Sequence, residues 1–387
     1  MIPALLPTYS RAPLSFASGS GVWLEEADGR RFLDLGAGIA VNALGHAHPA
    51  LIEALTEQAG KLWHTSNLYQ IPAQQRLAEL LVEHSFADTV FVTNSGTEAA
   101  ELAIKMARRH FDGTGRSRIL TFEGAFHGRS IAAISAAGSE KLSKGFGPLL
   151  PGFTQLPWGD LDAVEAAMGD DVAAVMVEPI QGEGGIRVMP REDLRALREI
   201  CDRHGVLLVL DEVQCGVART GHMFAHQAAE ITPDIMMVAK GIGGGFPLGA
   251  VLATEAAAAQ MGVGSHGSTY GGNPLACAVG VKVMEIVSDP AFLAEVGRKG
   301  ARLRQGLEGL VASHPDVFEA VRGEGLMLGL RCKVAPADVI AAAVDEQMLI
   351  VPAADNVVRI LPPLTITEDE MTEALSRLDR AAARIAG

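Results

Sequence analysis

Cysteine is scarce. The 387 residues hold four, Cys201, Cys215, Cys277 and Cys332, and no two are spaced as C-x-x-C. Nothing in that spacing suggests a disulfide framework or a zinc site. Basic residues are outnumbered, 32 Lys and Arg against 46 Asp and Glu, and the formal net charge of −14 gives no electrostatic support for a nucleic-acid partner. No Lys/Arg block is present to grip a membrane surface, and no apolar run approaches the roughly 18 residues a membrane helix needs. The opening stretch "MIPALLPTYS" has no basic start and carries Pro3 and Pro7, so it does not read as a secretory signal. A reduced, cytoplasmic protein is expected.

Hydrophobic residues at 48% and charged residues at 20% are ordinary for a globular chain, and the length exceeds what one core usually fills. Apolar runs alternate with amphipathic patterns through the middle. "DTVFVTN", "RILTFEG", "VAAVMVEP", "VLLVLDE" and "DIMMVAK" read as strands, while "TEAAELAIKMARRHF" and "REDLRALREICDRHG" read as helices, the second closed by Gly205. Continuous apolar strands between such helices predict an α/β fold with a mostly parallel sheet covered on both faces. Ligands in such sheets bind at the carboxyl ends of the strands. A long helical stretch from Pro274 breaks near Asp289–Pro290 and ends near Ser313. Beyond it, "VFEAVRGEGLMLGLRC" and "VVRILPPL" read as strands and "EDEMTEALSRLDRAAARIA" as a last helix. "GSGVWLEEADGRRFLDL" reads as a hairpin turning at Asp28–Gly29. The expected division is an N-terminal segment over 1–45 packed with a small lobe, a large domain over 46–280 and a small α+β domain over 281–387.

Four strand ends carry polar groups that packing does not require. In "TNSGTEAAE", Ser95, Gly96 and Thr97 sit where a strand hands over to a helix, and Ser95 with Glu98 has capping-box spacing. A helix start with a glycine offers free N–H groups to an anion, typically phosphate. In "LLVLDEVQCG", Asp211 ends an apolar run, where a carboxylate is costly unless it meets a cation. In "DIMMVAKGIGGGFPLG", Lys240 is the one lysine of eight that closes an apolar strand pattern. Desolvation lowers the pKa of such a lysine and makes it a nucleophile. In "FEGAFHGRS", Phe126, His127 and Arg129 share a glycine-flanked loop. Taken singly, these are equally the patterns of a plain cap, a structural ion pair and a snorkelling lysine. Together they match the needs of pyridoxal 5'-phosphate: a phosphate cradle, an acid for the ring nitrogen and a lysine for the aldehyde. The glycines after Lys240 would let backbone approach the cofactor.

Two other readings fail on the residues. "GIGGGFPLG" has Phe246 and Pro247 where a dinucleotide fingerprint needs its last glycine. His46 and His48 in "GHAHP" are two apart and point to opposite sides of an extended segment, so no metal site is expected.

The chain resembles the class III, fold-type-I pyridoxal-phosphate aminotransferases along nearly its whole length. The stretches that carry the resemblance are "AGIAVNALGHAHP", "HTSNLY", "NSGTEAAELAIK", "FHGRS", "VEPIQGEGG", "DEVQCGVARTG", "GIGGGFPLGA", "HGSTYGGNPLA" and "VVRILPPL". The resemblance implies that Lys240 attaches to the cofactor and moves the substrate proton, and that Asp211 pairs with the ring nitrogen. It implies that Gln214 binds the ring hydroxyl, that Phe126 and Val213 stack on the two ring faces, and that His127 lies in the cofactor pocket. Ser95, Gly96 and Thr97 would hold the phosphate, with Thr269 reaching the phosphate of a neighbouring subunit in a homodimer. Arg129 would bind the distal carboxylate of the substrate, Arg359 the α-carboxylate of glutamate, and Glu183 would mask Arg359 when the other substrate is bound.

Tyr9 stands where ornithine enzymes of the family read the amino-acid end. Within the family, "AVNALGHAHP" and "HTSNLY" are most similar to the acetylornithine branch. That branch moves the terminal amine of N2-acetylornithine to 2-oxoglutarate in arginine biosynthesis. Ornithine, succinylornithine, succinyl-diaminopimelate and 4-aminobutyrate enzymes share most of the residues. Cys215, Ala218 and Glu324 depart from the family pattern, which has threonine, glycine and lysine at those places, and none of the three removes an implied catalytic group.

Overall fold

The structure is a computed structural model and describes residues 2–386. Its centre is a seven-stranded sheet. The strands are β1 (Thr89–Thr93), β2 (Arg118–Phe122), β3 (Phe153–Leu156), β4 (Val172–Val177), β5 (Leu207–Asp211), β6 (Ile235–Val238) and β7 (Gly249–Ala253). They lie in the order β1-β7-β6-β5-β4-β2-β3. All neighbours are parallel except at β7, which runs antiparallel to both β6 and β1. The carboxyl ends of the other six strands therefore share one edge.

Every residue of β4, β5, β6 and β7 is buried, which is why these strands read as unbroken apolar runs. Alternate side chains serve opposite faces. Ile119, Met176, Val209, Met237 and Val251 join one cluster, while Leu120, Val177, Leu208, Met236 and Leu252 join the other. Truncating one of them, such as Leu208→Ala, should cost roughly 2–5 kcal/mol.

Helix α1 (Gly96–His110) covers the first face. It buries Ala99, Leu102, Ala103, Met106 and Ala107 at three- and four-residue intervals, and the alanines let it lie close to the strands. Helix α2 (Arg191–His204) buries Leu194, Leu197, Ile200 and Cys201, and it stops at Gly205, whose φ of 58° suits glycine.

The chain then enters α3 (Pro274–Val287) and α4 (Pro290–Ser313), separated where Asp289 accepts a hydrogen bond from the Ala291 N–H at 2.8 Å. A four-stranded sheet follows, with Phe318–Glu324, Met327–Cys332, Val357–Ile360 and Val351–Pro352 in that spatial order, and α5 (Glu368–Ala386) closes the chain. The N-terminal strands Phe16–Ser20, Trp23–Glu26 and Arg31–Asp34 form an antiparallel meander. Arg31–Asp34 also pairs in parallel with Met348–Leu349, and Trp23 Nε1 donates to Glu370 at 3.1 Å, so the first and last parts of the chain share a sheet and a contact. Two strands of the main sheet escape the sequence reading. β3 (Phe153–Leu156) is only half-buried along most of its length, and β7 hides inside the "PLGAVLA" that follows the glycine run.

Candidate active site

The carboxyl ends of β4, β5 and β6 and the amino end of α1 surround a cavity of about 330 Å³. Ser95, Gly96 and Thr97 form one wall, Phe126, His127 and Gly128 another, and Asp211, Val213, Gln214 and Lys240 the floor.

The wall from α1 is built by its cap. Ser95 Oγ accepts from the Glu98 N–H at 3.2 Å, and Glu98 Oε2 reaches back to the Asn94 N–H at 2.9 Å, one residue before the cap. The first two helical N–H groups, on Gly96 and Thr97, have no partner inside a helix, and both residues line the cavity. A Cβ on Gly96 would stand 3.0 Å from Val213 Cγ1, so a side chain here would require Val213 to give way. Gly128, at φ 128°, lies so close to Thr97 that a Cβ would collide with Thr97 Oγ1.

Asp211 is 4% exposed. Its Oδ1 accepts from the Val213 N–H at 3.0 Å, and its Oδ2 lies 2.7 Å from His127 Nδ1. Burial alone would lower the His127 pKa, but the bond and charge of Asp211 outweigh it and hold the imidazole above its ordinary range. The His127–Asp211 bond thus fixes the carboxylate, which keeps acceptor capacity for a further donor.

Lys240 follows β6 with φ 48°, a strained value for a non-glycine residue. Burial pulls its ammonium below the usual lysine range. Glu183 is the largest opposing charge, Arg359 acts in the same sense as burial, and Asp211 opposes. The glycines behind it have a different reason from the one the sequence suggests. Gly244 caps the short turn Lys240–Gly243 in a left-handed conformation, and a Cβ there would stand 2.6 Å from Leu51; Gly245 alone of the run lines the cavity.

Next to the floor, Arg359 is 2% exposed. Its Nη1 lies 2.5 Å from Glu183 Oε1 and 3.4 Å from Gln214 Oε1, and its Nη2 donates to the Pro352 carbonyl at 2.8 Å. Its Nε is buried with no partner among the described residues. The Gln214 amide packs against Gly182, where a Cβ would collide with it.

Three residues named from sequence stand apart from this cavity. Arg129 is exposed, with its guanidinium 5.5 Å over the Phe126 ring. Thr269 is exposed on a loop outside its own chain's cavity. Tyr9 is 75% exposed and carries Arg11 over its ring at 5.5 Å. His46 bonds to Asp34 at 2.8 Å, and the described residues contain no cluster of three or more His, Cys, Asp or Glu placed to hold a metal.

Glu178 is a cavity residue that the sequence reading left without a role. Its signal was present: an acid directly after six buried strand residues, as Asp211 ends β5. Cys215, a departure from the family pattern, is buried with its Sγ 3.9 Å from the Asp211 carbonyl. Burial, then the charges of Glu212 and Asp211, raise its thiol well above the ordinary range, so it packs as an inert side chain.

The donor set fits pyridoxal phosphate: free helix N–H groups for a phosphate, a fixed buried carboxylate for a ring nitrogen, and a lysine of lowered basicity for an aldehyde.

Comparison with known proteins agrees with this geometry. The profile of class-III aminotransferases matches residues 7–382. An acetylornithine aminotransferase of Rhodobacter capsulatus is 69% identical over 388 residues, covering 100% of this chain and 99% of that one. Among solved structures, the N-acetylornithine aminotransferase of Stenotrophomonas maltophilia is 40% identical with a TM-score of 0.85, covering 97% of each chain. The ornithine aminotransferase of Toxoplasma gondii is 31% identical with a TM-score of 0.95, covering 99% of this chain and 93% of that one. Backbone similarity and sequence identity rank these two structures oppositely, and side chains, not backbone, select a substrate.

Proposed function

This chain belongs to the class III aminotransferases, and from that premise we propose that it transfers the terminal amino group of N2-acetylornithine to 2-oxoglutarate, giving N-acetylglutamate 5-semialdehyde and glutamate in arginine biosynthesis. The observation that carries the reading is the Glu183–Arg359 pair at 2.5 Å beside the Lys240 floor. Glutamate reacts at an amine next to a carboxylate. Acetylornithine reacts at a terminal amine with no carboxylate nearby. One fixed cation cannot suit both, and an arginine that a carboxylate can cover or release can.

Pyridoxal phosphate, when bound, supplies an aldehyde that takes the amino group and a protonated ring that draws electrons from the carbon losing its proton. The chain's residues do the rest. Gly96 and Thr97 N–H groups and the Ser95 hydroxyl hold the phosphate. Asp211, backed by His127, keeps the ring nitrogen protonated. Phe126 and Val213 enclose the ring, and Gln214 orients its hydroxyl. Lys240 Nζ, kept from full basicity by burial, would serve as the base that takes the proton from the reacting carbon of the substrate and hands it back. Arg129 reads the distal carboxylate that acetylornithine and glutamate share.

The working unit we infer is a homodimer. Thr269 is exposed, and the two segments around it carry exposed Trp63, Leu68, Tyr69, Val263 and Tyr270, joined by Asn67 Nδ2 donating to Ser268 O and Gly271 O at 3.0 Å each. A second copy covering this face would bring Thr269 to the neighbouring phosphate. No described helix is long and apolar enough to cross a membrane, and four free cysteines suit the reducing cytoplasm, where we place the protein.

The ornithine reading has one observation in its favour, the TM-score of 0.95 to the Toxoplasma gondii structure. Steady-state kinetics with acetylornithine, ornithine, succinylornithine, succinyl-diaminopimelate and 4-aminobutyrate decide between them. The highest kcat/KM is expected for acetylornithine, and an equal or higher value for ornithine or 4-aminobutyrate would replace this reading.

A further inference from the structure

β4 ends at Val177, and the next residue, Glu178, is 5% exposed and serves none of the roles above. Its Oε2 accepts from the Phe126 backbone N–H at 3.1 Å, and its Oε1 accepts from the Gly182 backbone N–H at 3.3 Å. These two backbones have separate tasks. Phe126 forms the wall that faces the cofactor ring. Gly182 precedes Glu183, the residue that closes on Arg359, and it is also the residue against which the Gln214 amide packs. On its other side, Glu183 is already fastened, because its carbonyl accepts from the Ala354 N–H at 2.9 Å. Glu178 supplies the fastening on the Gly182 side.

We propose that Glu178 is a positioning residue that ties the Phe126 backbone to the Gly182 backbone, so that the ring-stacking wall and the Glu183 gate keep one fixed spacing. The inference rests on the reading of this site as an aminotransferase with a gated arginine.

The chemistry of the group suits the task. A buried backbone N–H without a partner is costly, so a segment that lost its acceptor would shift to find another. Burial pushes the Glu178 carboxyl up to about 8; the charge of Asp211 acts in the same sense, while the His127 charge and the two N–H bonds oppose it. A neutral acid at physiological pH places no second negative charge beside Asp211, and both its oxygens still accept. With both N–H ties intact, Glu183 has only its side-chain torsions to move, so the gate opens by rotation and the Phe126 wall does not follow.

The test uses Glu178→Gln and Glu178→Ala in the full-length protein. Glutamine matches the neutral acid in shape, but its amide nitrogen cannot accept, so one of the two ties is lost. Two quantities are read. One is the dissociation constant of pyridoxal phosphate, from fluorescence titration of the apoprotein. The other is the ratio of single-turnover rates for glutamate over the amine donor that the wild type prefers.

Losing one bond should weaken cofactor binding about 2–12-fold and move the ratio toward glutamate by a similar factor in Glu178→Gln, with larger changes of both in Glu178→Ala. A change in only one quantity, or in neither, overturns the proposal, whatever happens to the melting temperature. If Glu178→Ala does not fold, Glu178→Gln decides. Failure of the underlying reading looks different: the wild type itself would not use acetylornithine, or Arg359→Ala would leave the ratio unmoved.

Discussion

Replacing Arg359 with alanine separates the two half-reactions. With Glu183 in place, Nη1 is occupied by its carboxylate at 2.5 Å and Nη2 by the Pro352 carbonyl at 2.8 Å. When Glu183 rotates away, Nη1 is released and can meet an incoming carboxylate. A hydrogen bond to a charged group contributes about 1.5–3 kcal/mol, and each 1.4 kcal/mol is tenfold, so Arg359→Ala should slow the glutamate half-reaction by roughly 10–150-fold at subsaturating substrate. The Glu183 left behind has a side chain 36% exposed, so water can take over its carboxylate and the fold should be little disturbed. Acetylornithine has no carboxylate near its reacting amine, so its half-reaction should change by less than about threefold, the range of one weak contact. Arg359→Lys keeps the charge but not the fork, and should fall between. The assay is single-turnover absorbance of the bound cofactor with each substrate separately. Equal losses in both half-reactions would show that Arg359 is a general cation of the site and that no gate operates.

Borohydride treatment of the holoenzyme should fix the cofactor to the peptide containing Lys240, and Lys240→Ala should bind cofactor yet turn over negligibly; label on any other lysine refutes the assignment. Asp211→Asn should keep the fold and lose most of the rate of both half-reactions, and near-normal rates would remove the argument for ring protonation. Native enzyme at pH 8 should react slowly or not at all with a thiol reagent and show four thiols only after unfolding, because all four cysteines are buried and burial raises Cys201 and Cys277 to about 12, Cys332 to about 11 and Cys215 well above its ordinary value.

Glu178 also predicts a pH effect. Its folded pKa of about 8 lies above the ordinary 4.5, so between these values the folded apoprotein holds a proton that the unfolded chain releases, and stability falls as pH rises. The slope from this group approaches about 1.4 kcal/mol per pH unit. His127, also raised, contributes a fall in the same direction that begins only above its ordinary 6.5. Comparing wild type with Glu178→Gln between pH 5 and 6.5 isolates the first group, and an unchanged slope would mean that Glu178 is ionised in the fold.

Much of this is legible in the sequence. Strands buried on both faces announce themselves as apolar runs, and helices announce their ends through Ser95, Gly205 and the Asp289–Pro290 pair. What escaped has physical causes. β3 is half-buried, so its pattern is weak, and β7 begins at a glycine inside a run that reads as a loop. Glu178 stands at a strand end as Asp211 does, but nothing in "VEPIQGEGG" tells which backbone groups its side chain meets. The reason for the glycines after Lys240 also lay out of reach. Gly244 is required by Leu51 and by a left-handed cap, contacts that involve residues almost two hundred positions away. Arg129, Thr269 and Tyr9 reach outward from the chain, where one sequence gives no partner to meet them.

The parallel pairing of Leu33 and Asp34 with Met348 and Leu349 has a consequence for how the protein is made. A ribosome adds roughly 5–20 residues per second, so the N-terminal meander emerges about 15–60 s before the strand that completes it. Throughout that interval Arg31–Asp34 presents an open hydrogen-bonding edge, with Phe32 and Leu33 still to be covered, to any neighbouring chain able to add a strand. A late stretch of the chain therefore closes an early one, and stalled translation short of Met348 would release a chain whose central sheet can form while its opening segment stays adhesive.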